Sequence, residues 1–203
     1  MAAPIRLYLA FASPYAYFAI DAADRLAATR DRTVEWRPIL VWALLKAHGI
    51  APPMDPPARR AYFLTDIARS PEYHGVLFRE PTPFPLSSHP AARLYHHMLS
   101  ERGPALARAV GQSVFTAYFS EQADISDQAT LTAIAARHGV GEAAAREAIA
   151  GEIGRRGLAE AIDAATAEGV CGSPYFILDG EPFFGADRLP QLAWRLSRGS
   201  RSA

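Results

Sequence analysis

Cysteine is almost absent from this sequence, because Cys171 is the single one among 203 residues. A chain with one cysteine can form no internal disulfide, so it neither needs nor indicates an oxidising compartment. The lack of a second cysteine also excludes a disulfide oxidoreductase. Two interpretations of Cys171 remain, inert packing beside a buried loop or a partner in a mixed disulfide.

An excess of either charge is missing, and so are long apolar runs. Lys and Arg total 21, as do Asp and Glu, so nothing indicates nucleic acid or an anionic membrane as a partner. The stretch 7–20 imitates a signal peptide, but it contains Pro14 and passes into a charged helix, so we interpret it as mature structure. No other apolar run approaches the roughly 20 residues that a membrane span needs. We therefore expect a cytoplasmic protein with a small, roughly neutral partner.

The sequence lacks the residues that two kinds of catalytic centre require, a metal site and a serine nucleophile. His96 and His97 are adjacent, so on a helix they diverge by about 100° and supply no metal site. We expect both on a solvated helix face. No histidine lies near Ser13 to act as the base of a serine nucleophile, and no G-x-S-x-G elbow is present.

The first part of the chain has the pattern of a βαβ unit. Apolar and β-forming residues predict strands over 5–11 and 34–40, with a helix from Ser13 to about Thr29 between them. A helical crossover makes these strands parallel. Beyond them strand signals stop, and helical spacing appears over 58–70, 89–101, 104–121, 128–138 and 142–150.

The strand pattern returns near the end of the chain. A helix from Glu152 to Gly169 precedes strands at 175–178 and 182–184, whose Asp179-Gly180 turn is typical of a β-hairpin. A last amphipathic helix is predicted over 187–196.

Without the helical block, the element order is β-α-β-α-β-β-α, which is the order of the thioredoxin fold. We predict an α/β thioredoxin-like domain formed by 1–40 and 152–203, with a large all-helical insertion at 41–151. In that fold the start of the first helix faces the loop before the hairpin, here Ser13 and Ser173-Pro174.

The Ser13 junction suits an anion. A helix beginning at Pro14 directs free N–H groups and the positive end of its dipole at Ser13. We expect Pro174 to be cis, which leaves the backbone N–H and C=O of Ser173 free to pair with a peptide-like ligand. The alternatives are that Ser13 is only a helix cap and that Pro174 is only a turn proline.

Several motifs give a specific family resemblance. FASPYAYFA resembles the opening of the 2-hydroxychromene-2-carboxylate isomerases and the kappa-class glutathione transferases, which have serine where redox relatives carry Cys-x-x-Cys. The likeness continues through LVWALLKAHGIAPP, PARRAYFLTDIAR, TPFP and AARL. It ends in GVCGSPYFILDGEPFFGADRL, the most diagnostic motif, and so spans almost the whole chain.

The resemblance implies glutathione as cofactor, with the Ser13 hydroxyl donating to its sulfur. A thiol with a pKa of about 8.5 is mostly protonated at neutral pH, and a helix N-terminus plus a hydrogen bond lowers that value. Ser13 is then a donor and not a nucleophile. The resemblance also places Ser173 and Pro174 against the cofactor.

Three further residues are implied as ligands of the two ends of glutathione. Asp187 and the Ala186 N–H hold the γ-glutamyl end, although Asp187 could equally be an N-cap. Arg59 reaches the glycyl carboxylate, or else belongs to a solvated helix start.

This chain departs from the family at Ile50 and Ser87, where asparagines are common, and at Tyr175, which replaces a more usual threonine beside the thiol. The first two weaken the carry-over of polar contacts, and Tyr175 indicates a different substrate. Aromatic residues are candidates for the substrate-pocket wall, namely Tyr8, Phe11, Tyr15, Trp42, Phe84, Tyr175 and Phe184.

These expectations describe a glutathione-dependent isomerase that acts on an aromatic unsaturated 2-oxo acid. Two alternatives stay open, a kappa-like glutathione transferase and a non-catalytic thioredoxin-fold binding module. The expected partners are a small aromatic substrate and glutathione, and relatives suggest a homodimer.

Overall fold

The computed structural model describes residues 2–198. It contains four strands, nine helices and a short 3₁₀ turn within that range. In chain order these are β1 (Ile5–Leu9), α1 (Pro14–Ala28), β2 (Val34–Pro38), α2 (Val41–Ala47), α3 (Pro57–His74), α4 (His89–Arg102), α5 (Pro104–Phe119), α6 (Gln128–Ala136), α7 (Glu142–Ala150), α8 (Glu152–Ala167), β3 (Tyr175–Leu178), β4 (Glu181–Phe184), the 3₁₀ turn (Ala186–Arg188) and α9 (Leu189–Arg198).

The four strands form one mixed sheet in the order β2-β1-β3-β4. β1 pairs with β2 in parallel and with β3 antiparallel, and β3 and β4 form the hairpin. At its turn, Asp179 and Gly180 both have positive φ, as a type I′ turn requires. The thioredoxin order predicted from the sequence is thereby confirmed, with a helical block between β2 and α8.

The division into two domains stays a prediction, and its outer ends, residue 1 and 199–203, lie outside the described residues. One apolar cluster runs from Leu7 of β1 through Phe115 of α5 to Leu131 of α6. The sheet and the helical insertion therefore share a core. Across 2–198, no helix is both long and apolar enough to cross a bilayer.

Two helices differ from the prediction. α2 was not marked as a separate helix, because seven residues carry too little periodicity to stand out from the loop that follows. α3 continues past Ser70 and through Pro71 to His74, where Gly75 in the left-handed conformation ends it.

The outer edge of β2 is closed by side chains from the insertion. Bonds from Ile5 N to Thr33 O and from Ile39 N to Leu9 O show that the odd-numbered residues of β2 pair with β1. The carbonyls of Val34, Trp36 and Pro38 therefore point outward. These three oxygens accept hydrogen bonds from Arg108 (3.4 Å), Tyr95 (3.4 Å) and His96 (2.8 Å), respectively.

This arrangement corrects the expectation for the two histidines. His96 and His97 are both buried, with 7 % and 8 % of their surface exposed, and neither lies on a solvated face. Because the Pro38 carbonyl can only accept, the Nε2 of His96 carries the proton. Burial lowers the pKa of His96, and the bond to Pro38 counteracts this only in part.

We predict that stability falls as the pH drops below the ordinary histidine pKa of about 6.5. There the unfolded chain binds protons that folded His96 resists, so the free energy of unfolding declines by up to about 1.4 kcal/mol per pH unit for each such group. His74 and His89, whose pKa values burial also lowers, act in the same direction.

Urea unfolding between about pH 7 and pH 5 measures this slope. His96→Gln keeps an N–H for Pro38 and removes the titration, so its slope is flatter than that of the wild type. His48→Gln, the same substitution at an exposed position, is the matched control. Equal slopes in His96→Gln and wild type would contradict this account.

Candidate functional site

Ser13 lies at the junction between the central strand and the first helix. It is the N-cap of α1, with extended backbone, and its Oγ accepts a hydrogen bond from Ala16 N at 3.3 Å. Pro14 occupies the first helical position, where its missing N–H is not needed. The side chain is partly exposed at the positive end of the helix dipole, so the predicted cap is confirmed and the hydroxyl remains accessible.

The loop before β3 is held against Ser13 by two hydrogen bonds. The Ser173–Pro174 bond is cis, as predicted. The Oγ of Ser13 donates to the carbonyl oxygen of Ser173 at 3.1 Å, and Ala10 N donates to the Oγ of Ser173 at 2.9 Å. The Ser173 carbonyl is therefore not free, contrary to the expectation, although a carbonyl oxygen retains a second lone pair.

A third bond brings in the turn before α9. Gly185 N donates to the carbonyl oxygen of Pro174 at 3.0 Å. Gly185, with φ of 106°, is the N-cap of the 3₁₀ turn, so Asp187 is not an N-cap but lies within that turn. A Cβ at position 185 would collide with the Asp187 carboxylate, which folds back over this glycine.

Five of the predicted site residues thus come together on three linked segments, namely Ser13, Ser173, Pro174, Ala186 and Asp187. The Asp187 side chain is 74 % exposed, and its one ion-pair contact among residues 2–198 is with Arg188 at 3.6 Å, whereas Ala186 is buried. Arg59 lies in the first turn of α3, exposed and without an ion-pair partner among residues 2–198.

Three aromatic rings from α1, α3 and the loop before α4 contact one another, and we define them as the aromatic wall, namely Tyr15, Phe63 and Phe84. Tyr15 meets Phe63 edge-on, with ring centroids 5.4 Å apart, and Phe63 stacks on Phe84 at 6.5 Å. Tyr15 and Phe84 were predicted, whereas Phe63 was missed. Its spacing of four residues from Ile67, the buried apolar residue of α3, is the signal that could have found it.

The Tyr15 hydroxyl is fixed by a carboxylate that the sequence did not single out. It donates to Oδ2 of Asp66 at 2.6 Å, and Nε of Arg69 donates to Oδ1 of the same group at 2.9 Å. Burial and then the bond to Asp66 raise the pKa of Tyr15 above its usual value. Partial burial would raise the pKa of Asp66, but the bonds from Tyr15 and Arg69 outweigh it and lower that pKa.

The other predicted aromatics lie elsewhere or are less accessible. Phe11 is fully buried against Phe115, 5.0 Å between ring centroids, so it is a core residue and not a pocket wall. Tyr8 is also fully buried, on the opposite face of the sheet, and its hydroxyl accepts from Arg37 at 3.1 Å. Tyr175 is buried beside the half-exposed Phe184.

Trp42 is 43 % exposed on α2, and Ile50, 39 % exposed, follows that helix. Ser87, at the second departure from the family, bonds to Nδ1 of His89 at 2.7 Å. Cys171 is a partly exposed free thiol.

A separate cavity of about 340 Å³ lies at the β2 edge, between α4 and α8. None of its lining residues is a predicted site residue, and its charges pair with each other, Arg37 with Glu35 and Arg156 with Glu160. The described chain also contains no group of His, Cys, Asp or Glu side chains able to hold a metal ion. The Ser13 junction is therefore the candidate site.

We predict that Ser173→Ala destabilises the protein. The substitution removes the acceptor of the N–H of Ala10, a residue that is 4 % exposed, and an unpaired buried donor costs about 1–3 kcal/mol. Urea unfolding measures the loss, and Ser173→Thr, which keeps a hydroxyl, restores most of it. The exposed Ser100→Ala stays within about 0.5 kcal/mol of wild type; a similarly small effect of Ser173→Ala would contradict this role of its hydroxyl.

Known proteins resemble this chain in sequence and in fold. The rat kappa 1 glutathione S-transferase is 24 % identical over 204 residues, which is 95 % of this chain and 90 % of the relative. A solved 2-hydroxychromene-2-carboxylate isomerase superposes with a TM-score of 0.83 at 22 % identity, over 96 % of this chain and 94 % of the other.

The cytosolic disulfide reductase DsbM from Pseudomonas aeruginosa, solved with GSH, has a TM-score of 0.63 at 18 % identity, covering 89 % and 88 % of the two chains. At such identities these structures are evidence for the fold alone. The model of the DsbA-like thioredoxin domain, however, matches residues 4–197. This chain therefore belongs to the family of DsbA-like thioredoxin domains.

Proposed function

We propose that this protein binds glutathione at Ser13 and is a glutathione-dependent isomerase of an aromatic unsaturated 2-oxo acid. The observation that carries the proposal is the pairing of the Ser13 hydroxyl with the Ser173 carbonyl at the N-terminus of α1. A donor and an acceptor stand side by side there, in a field that favours negative charge.

The cysteinyl unit of glutathione has the complementary pair of groups. Its thiolate accepts a hydrogen bond and its amide N–H donates one. A hydroxyl has a single hydrogen, so when Ser13 turns its hydrogen to the sulfur, Ser173 loses a donor. The incoming amide N–H replaces that donor, and the exchange leaves no buried group unpaired.

The charged groups at the two ends of glutathione are complementary to three further residues, Ala186, Asp187 and Arg59. Its α-ammonium group matches the exposed carboxylate of Asp187, and the neighbouring carboxylate matches the N–H groups that begin the 3₁₀ turn at Ala186. The glycyl carboxylate matches Arg59, which has no acidic partner among the described residues. These charged and polar groups are thus suited to a tripeptide with charges at both ends.

The site offers no nucleophile of its own, since Ser13 has no base among its hydrogen-bond partners. Glutathione held by Ser13, Ser173 and Asp187 would supply a thiolate for reversible conjugate addition, the chemistry by which a conjugated double bond isomerises. Ser13 and the α1 N-terminus would stabilise the thiolate form of that sulfur and so lower the pKa of the thiol. The aromatic wall provides a flat apolar surface for an aryl group.

A kappa-like transferase is the second candidate, because the curated relative is a kappa transferase and the same site would serve it. A non-catalytic binding module is the third.

A cytoplasmic location agrees with the cytosolic reductase among the structural relatives, and a homodimer belongs to the proposal only through the family resemblance.

We predict that glutathione raises the melting temperature, since a ligand that binds only the folded state stabilises it.

Ser13→Ala lowers turnover about tenfold to a thousandfold through loss of one oriented donor. Ultraviolet absorbance of the bound thiolate, followed with pH, places the thiol pKa below about 8.5 in the wild type and higher in the variant.

Ser126→Ala, in the exposed loop before α6, is the control and changes none of these values. No thermal shift with millimolar glutathione would favour the binding module. Turnover of a halonitroaromatic without isomerisation of 2-hydroxychromene-2-carboxylate would favour the transferase. Unchanged turnover in Ser13→Ala would remove Ser13 from the mechanism.

A further inference from the structure

Helix α3 is attached to the rest of the described chain along one narrow face. Of its residues only Ile67 and Ser70 are buried within the part of the chain that the structure describes. Tyr62 and Tyr73, on its other sides, are 62 % and 82 % exposed. A helix with so little buried surface depends on specific contacts for its orientation, because the hydrophobic contribution of two buried residues is small.

Its main polar attachment is the Tyr15 hydroxyl of α1. The 2.6 Å bond to Asp66 Oδ2 has an ionised acceptor, which makes it stronger than a neutral hydrogen bond. Arg69 holds the same carboxylate from the other side and also donates to the Tyr62 hydroxyl at 3.1 Å. Asp66 thus cannot rotate away without breaking several bonds.

Arg59 and Phe63, which belong to the proposed site, lie on the face of α3 that this bond fixes. Arg59, Phe63 and Asp66 are separated by four and three residues, so they form one stripe along the helix. Fixing Asp66 sets the rotation of α3 about its axis. It therefore also sets the positions of the Phe63 ring, which the Tyr15 ring contacts, and of Arg59 one turn earlier.

We propose that Tyr15 is a positioning residue, whose bond to Asp66 orients α3 so that Arg59 and Phe63 face the Ser13 site. Its part in ligand binding rests on the proposed function, in which Arg59 binds the glycyl carboxylate. Tyr15 acts through Asp66 and needs no contact with glutathione. Binding of the tripeptide and placement of the aromatic wall are then coupled through one side-chain bond.

The chain offers a matched pair of variants for the test. Tyr17, two residues along α1, donates its hydroxyl to the Leu77 carbonyl at 2.7 Å and pairs with Ser120 Oγ at 2.8 Å, beyond the C-terminal end of α3. Tyr15→Phe and Tyr17→Phe each remove one hydroxyl and keep the ring. Only the first releases the face of α3 that carries Arg59 and Phe63.

Hydrogen exchange of the free protein provides the readout that does not involve glutathione. Amides of residues 57–66 exchange about tenfold faster in Tyr15→Phe than in wild type, while Tyr17→Phe leaves that segment unchanged. Asp66→Asn, which keeps an oxygen for Tyr15 but loses the charge opposite Arg69, shows an intermediate increase. Equal exchange of 57–66 in all variants, or equal increases in the two Tyr variants, would overturn the proposal.

Calorimetric titration with glutathione tests the coupling. Its dissociation constant rises about tenfold in Tyr15→Phe and changes less than twofold in Tyr17→Phe. If the wild type does not bind glutathione, the proposed function fails, and the exchange of 57–66 alone decides whether Tyr15 orients α3. Faster exchange in Tyr15→Phe with an unchanged dissociation constant would refute the coupling while leaving the proposed function intact.

Discussion

The hydroxyl of Ser13 has one hydrogen, and in the free protein it is donated to the Ser173 carbonyl, 160 residues away in sequence. This bond joins the start of the first helix to the loop before the hairpin. The amides of Ala10 and Gly185 fix the same loop from two further segments. Since most of the proposed ligand contacts lie on these segments, the geometry of the site depends on the sheet that brings them together.

The sheet does so because β1 is an inner strand. It pairs in parallel with β2 and antiparallel with β3, so the segment that follows β1 and the loop that precedes β3 meet at one end of the sheet. Antiparallel pairing places Tyr8, near the end of β1, opposite Tyr175, the residue after Pro174. Ser13 and Ser173 are then within reach of one hydrogen bond.

The helical insertion also provides hydrogen-bond donors to the outer edge of the sheet, which is β2. An unpaired strand edge is a template for association with other chains, and folded proteins usually block it. Here His96, Tyr95 and Arg108 satisfy the outward carbonyls of β2, and Pro38 has no N–H to offer. The insertion thus supplies both the aromatic residues near the site and the groups that close the far edge.

The features that could be predicted from the sequence are those that depend on residues close together in the chain. The Asp179-Gly180 turn, the Ser13-Pro14 helix start and the proline after Ser173 each depend on neighbours in sequence, and each has the predicted geometry. The strand order followed from the order of the elements. The burial of Phe11 and His96 could not be predicted, because periodicity shows that a face is apolar or polar but not which element packs on it.

The contacts between α1 and α3 were beyond prediction for a related reason. Tyr15 and Asp66 lie 51 residues apart, on helices whose crossing no local pattern specifies. These contacts also bear most directly on substrate choice. The Ser13 side of the site consists of backbone groups and small side chains, which are complementary to a peptide-like ligand. In the proposed function, these groups do not select the molecule with which that ligand reacts.

In the proposed function, discrimination between second substrates therefore falls to the aromatic wall. Two of its three rings, Phe63 and Phe84, lie outside the segments that hold Ser173. Helix α3, which carries Phe63, is held by few buried residues, so its orientation can change without disturbing the Ser13–Ser173 pair. The departures at Tyr175, Ile50 and Ser87 leave the Ser13–Ser173 bond in place. The proposed cofactor therefore rests on the Ser13–Ser173 pair, and the proposed substrate rests on the aromatic wall.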